Sequence, residues 1–164
     1  MTTDRTAEGR AEQDAITAAF AAHDFAATAF RTEIVGPDGG SESIQVSGYA
    51  CDGLGVHEDG DYWRIVALGT GAPLGLMPTV SATIDLCTQI LSIPDYHPAG
   101  ADEPGSDVFA RIRDMQAQIV AEEAEALRQR ADELADEISY LEEKANDFQA
   151  RAMFGALQGF GAED

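Results

Sequence analysis

From Val120 to Ala152, small or apolar residues recur at alternating spacings of four and three: Val120, Ala124, Leu127, Ala131, Leu134, Ile138, Leu141, Ala145, Phe148 and Ala152. That rhythm keeps one stripe of a helix turned toward a partner, as in the seam of a coiled coil. Neither Gly nor Pro interrupts Ser106 to Phe154. A single helix of ~75 Å, at 1.5 Å per residue, is therefore expected. Pro104-Gly105 stops what precedes it, Ser106 can cap it, and Asp107 suits the positive end of the helix dipole.

An earlier stripe, Val108, Ile112, Met115 and Ile119, runs out of phase with the seam. Such a shift of register marks a change of partner. The first turns are expected to pack on the chain's own globular part, and the later turns on another chain. With Val120 at position d, alanine fills most a positions (Ala124, Ala131, Ala145, Ala152). Alanine lets helices approach closely but buries little area, so at about 25 cal/mol per Å² a two-stranded coil is thin. In a parallel pair Glu123 meets Arg128 favourably, whereas Glu137 meets Glu142 unfavourably, so strand number and polarity stay open. The competing arrangement folds this helix back on the N-terminal helix of the same chain.

A length of 164 residues suits one domain plus an extension. The 30 acidic side chains outnumber 10 basic ones, for a formal charge of -20, and Lys144 is the only lysine. Phosphate backbones need a basic face and anionic membranes repel an acidic one, so neither nucleic acid nor membrane is an expected partner. The acids are spread along the chain rather than gathered in a tail. This favours adaptation to concentrated salt over a GC-rich coding bias. Ala67 to Ile93 carries one charge, Asp85, but also Pro73, Pro78 and three glycines, which reads as buried core rather than a spanning helix. Cys51 and Cys87 do not make a disulfide framework, and the N-terminal MTTDRTAEGRAEQD is not a secretory signal. The expected setting is intracellular or within a virus particle.

Thr6 to Arg31 carries a helical stripe of Ile16, Ala19, Phe20, His23, Ala27 and Phe30, with His23 as a hydrogen-bonded core histidine and Phe25 in a lesser contact. Short β signals follow. Thr32 to Val35 leads into Gly36-Pro37-Asp38-Gly39-Gly40, and Ser43 to Ala50 alternates. Asp52-Gly53 and Asp59-Gly60 are hairpin dipeptides flanking Leu54 to His57, and Asp61 to Leu68 alternates again. These predict an antiparallel meander of three or four strands. Gly69 to Gly75 lacks the spacing and the Lys of a phosphate loop and reads as a flexible link. Val80, Ile84, Cys87 and Ile90 predict a second helix over 79–93, capped by Thr79 or Ser81 and ended by Pro94.

The fold expected is α+β: an N-terminal helix, a small antiparallel meander and a second helix, followed by the long coiled-coil-like helix. Residues 1–93 form the compact domain, 94–105 a Pro/Gly/acidic linker, 106–157 the helix for oligomerisation and 158–164 a tail, with Phe160 as a candidate anchor.

Chemistry is sparse. Cys51, His57, Cys87 and His97 hold the atoms for tetrahedral zinc, but their spacing matches no closed site. His57-Glu58-Asp59-Gly60-Asp61 lacks the later bidentate acid of a calcium loop. No nucleophile elbow or metalloprotease motif is present. No catalytic residue, metal or cofactor is expected. The sequence points to a structural or assembly protein, associating with copies of itself through the ten seam residues and with other assembly proteins, of which a virus particle is one setting. The alternative is a small acidic adaptor or chaperone-like protein that binds one partner protein.

Overall fold

The computed structural model describes residues 4–160, with side chains for 7–156. In chain order the elements are α1 (Asp4–Ala21), β1 (Ala26–Val35), β2 (Ser41–Cys51), β3 (Leu54–Asp59), β4 (Tyr62–Ala67), β5 (Pro73–Met77), α2 (Val80–Leu91) and α3 (Ser106–Phe160). This is the α+β arrangement expected, with five strands where three or four were read. They form one antiparallel meander, in the order β1-β2-β3-β4-β5. The chain divides into two compact units, Met1–Ala121 and Glu122–Asp164, with the division inside α3.

The largest departure from expectation lies at the first helix. It ends at Ala21 rather than Arg31, and Asp24 adopts a positive φ of 64°. A left-handed residue after the last turn carries the chain out of the helix, and a short polar side chain tolerates that region. Ala26 to Val35 then pairs residue by residue with Ala50 to Ser41. That unbroken ladder outweighs the helix propensity of Ala26, Ala27 and Ala29. His23 consequently lies exposed in the turn and not in the core, and Phe25 is a core residue.

The turns follow their chemistry. Asp52 and Gly53 both have positive φ, 49° and 85°, as a type I′ hairpin requires. The Gly69 to Gly75 stretch is occupied rather than loose. Gly69 donates its N–H to Pro98 O at 2.9 Å, Gly71 donates to Ala67 O at 2.8 Å, and β5 begins at Pro73. Residues 94–105 also pack: Tyr96, Pro98 and Pro104 are buried.

One sheet face carries Tyr49, Leu54, Val56, Trp63, Ile65, Ala67 and Met77 into the main core, where they meet Phe20 of α1, Leu86 and Ile90 of α2, and Ile112 and Ile119 of α3. The stripe Val108, Ile112, Met115, Ile119 therefore packs on the sheet's own unit. Gln116 accepts the Leu76 N–H at 3.3 Å, which satisfies one donor on the edge strand β5. On the opposite face the β1–β2 ribbon twists over the sheet: the Glu33 backbone N–H donates to Gly71 O at 3.1 Å, and the Phe30 ring lies against Gly55.

Thr79 caps α2, its hydroxyl accepting the Ala82 N–H at 3.1 Å. Thr79→Ala should lower stability by about 1 kcal/mol, read as the shift in a urea unfolding midpoint at unchanged slope. α3 continues through Gly155 and Gly159 to Phe160, past the end expected from the glycines. The Phe160 side chain and residues 161–164 of the expected tail lie outside the described residues.

Candidate functional site

Two surfaces concentrate the features that could carry a function, one in each unit. In the second unit, the seam residues from Leu127 onward are uncovered, Leu127 at 60 % and Phe148 at 73 % exposure. Leu134, Ile138 and Leu141 are exposed between them, and so are Ala131, Ala145 and Ala152. Ala124 is half-buried, and Val120, in the first unit, is exposed at its end of the stripe. Local pairs such as Arg128–Glu125 and Arg151–Asp147 brace the helix surface without covering the apolar stripe. Those exposed pairs add only a few tenths of a kcal/mol each.

In the first unit, a cleft of about 570 Å³ lies where the sheet forks. The β2–β3 ladder spans only Tyr49–Cys51 against Leu54–Val56. Beyond it β2 follows β1 back to Ser41, while β3 follows β4 to Asp59. The cleft in the fork is lined by Gln13 and Thr17 from α1 together with Tyr49, His57, Glu58 and Trp63. Phe20 stacks on Tyr49 at 4.4 Å and meets Trp63 at 5.2 Å, which fixes both rings. The Tyr49 hydroxyl receives Gln13 Nε2 at 2.9 Å and contacts Thr17 Oγ1 at 2.8 Å. His57 is only 7 % exposed. Its Nδ1 lies 2.8 Å from Glu58 O, and its Nε2 is buried with no hydrogen-bond partner among the described residues.

The four zinc-type residues are not brought together. Cys51 and Cys87 share a smaller cleft with the exposed His23, whereas His57 lines the fork and His97 is exposed in the stretch after α2. Among the described residues no three metal-ligating side chains form a group. Burial pushes the Cys87 thiol far above its usual range, and burial plus the Asp52 carboxylate raises Cys51. Both thiols are thus held neutral, the opposite of an activated nucleophile. The acidic tip is a hairpin end in which Asp59 accepts from Arg64 Nε at 2.7 Å. No described helix is long and apolar enough to cross a membrane.

The apolar stripe of α3 is legible in the sequence as a periodicity, whereas the cleft is not. In the sequence His57 stands only as part of an acidic tip and a scattered metal set, because divergence of two paired strands is a tertiary event. Comparison with protein-family models, curated proteins and solved structures finds no significant match.

Proposed function

We propose that this chain is a structural subunit that self-associates through the second half of α3, with the first unit as the head presented to other proteins of a larger assembly, of which a virus particle is one setting. The observation that carries this reading is the exposed stripe. Large apolar side chains recur along one helix face at heptad spacing while the remaining faces are mostly charged, with Tyr140, Met153 and Phe154 as exposed apolar residues off the stripe. An isolated helix gains nothing from such a stripe in water, and a contiguous apolar patch of this kind is what association buries.

Electrostatics sets the conditions. Between Glu122 and Arg151 the basic side chains are Arg128, Arg130, Lys144 and Arg151, against ten carboxylates. Bringing copies together compounds that excess, and the alanine-rich seam offers little area per layer to oppose it. Association should therefore tighten as salt shortens the screening length from ~10 Å at 0.1 M to ~3 Å at 1 M.

The test is absolute mass by light scattering at ~0.1 M and at multimolar KCl. The expected result is a defined homo-oligomer that tightens with salt. Leu134→Glu combined with Leu141→Glu places carboxylates in two seam layers and should return the monomer while leaving the melting of the first unit unchanged. A monomer at both salt concentrations, or a double variant of undiminished mass, would overturn self-association and assign the stripe to a different protein, as in an adaptor.

A further inference from the structure

The fork cleft belongs to the first unit, and its chemistry is specific. A carbonyl oxygen only accepts, so the Nδ1 that faces Glu58 O at 2.8 Å carries the proton. In the neutral ring Nε2 is then an acceptor, and it is buried without a donor among the described residues. A polar atom left so costs about 1–3 kcal/mol, which a bound donor would recover. The lining contains a carboxylate, Glu58, and no Lys or Arg. Trp63 and Tyr49 add fixed aromatic surface, and the Tyr49 hydroxyl is already held by α1. The volume is within the range of small-molecule sites.

We propose that this cleft binds a small organic cation: a protonated amine on a flat apolar body, donating N–H to His57 Nε2, with its charge balanced by Glu58 and its body against Trp63. Each group answers one part of that ligand. An anion would face the Glu58 carboxylate with no Lys or Arg in the lining to offset it, in a strongly acidic chain. A neutral alcohol can satisfy His57 but gains nothing from Glu58 or from the ring quadrupole.

Trp63 is the only tryptophan in the chain, so its emission reports on the cleft directly. The full-length protein would be titrated at fixed ionic strength with phenethylamine hydrochloride, 2-phenylethanol and 3-phenylpropionate. A saturable change is expected for the amine, at least threefold tighter than for the alcohol and with no saturation for the acid. Glu58 is exposed, so Glu58→Gln should keep the fold and remove the preference of amine over alcohol, whereas Glu143→Gln, the same charge change in the second unit, should leave it intact. His57→Leu should weaken amine and alcohol alike. Should that variant lose its fold, ¹⁵N NMR of the parent decides the point: the His57 Nε2 resonance must shift with amine occupancy. No saturation by the amine, equal affinity for all three probes, a preference untouched by Glu58→Gln, or a static Nε2 resonance would each overturn the proposal.

Discussion

A chain ending at Gly105 should fail to fold, while one ending at Ala121 should fold and remain monomeric. Pro104-Gly105 looks like the end of the compact part in the sequence, but the stripe Val108, Ile112, Met115 and Ile119 beyond it is expected to pack on the globular part, and it does so. Ile112 and Ile119 are buried at 1 % and 5 % exposure, and Val108, Phe109 and Met115 pack against the same core. Removing a buried isoleucine side chain costs about 2–5 kcal/mol, so two of them with their neighbours approach or exceed the ~5–15 kcal/mol that holds a domain together. The cut also strips Gln116 from the edge strand, leaving the Leu76 N–H without that acceptor. Far-UV and near-UV circular dichroism with thermal melting decides the matter. The 1–121 chain should melt cooperatively, and the 1–105 chain should show no cooperative transition and little near-UV signal. A cooperative melt for 1–105 would mean that the first turns of α3 are not part of the core. An oligomer formed by 1–121 would move the association site out of the seam.

What the sequence revealed and what it hid divide along a physical line. Signals that act within a few residues were legible. The uninterrupted run after Ser106 became one helix, Asp52-Gly53 became the left-handed pair of a tight hairpin, and Thr79 capped α2. The shift of register between Ile119 and Val120 separated the core-facing stripe from the exposed one. Features decided by distant pairing were not legible. Ala26 to Ala29 has helical composition and forms a strand because β2 offers a full ladder. Gly69 to Gly75 looked like a link, yet from Pro73 it enters the fifth strand, paired with β4 around a register shift at Ile65/Val66. The fork had one available signal, a glycine in the interior of a strand, which often marks close backbone approach.

That glycine is Gly48, and Gly48→Ala should be among the most damaging single changes in the first unit. It sits in the middle of β2 with an ordinary backbone conformation, so the requirement is one of space. An added Cβ would run into the carbonyl oxygen of Val56 and would also crowd the Val56 carbonyl carbon at 3.0 Å and the His57 Cβ at 3.1 Å. These are backbone and near-backbone atoms, which cannot rotate aside as the end of a long side chain can. To admit the methyl, β2 and β3 must move apart where their short shared ladder begins, at Tyr49 and Val56. The sheet depends on those three residue pairs to join its two ribbons, so the strain falls where little else can absorb it. A loss of about 3 kcal/mol is expected, at the upper end of overpacking costs, or about 6–12 °C in melting temperature at roughly 2–4 °C per kcal/mol. Gly9→Ala supplies the contrast. Gly9 lies in α1 with nothing near its absent Cβ, and replacement there should stabilise by about 0.5–1 kcal/mol through helix propensity alone. Melting curves of the two variants beside the parent would therefore shift in opposite directions. If Gly48→Ala melted within a degree of the parent, β2 would not approach β3 as closely as the fork requires. The position of His57 at its apex would then have to be reconsidered as well.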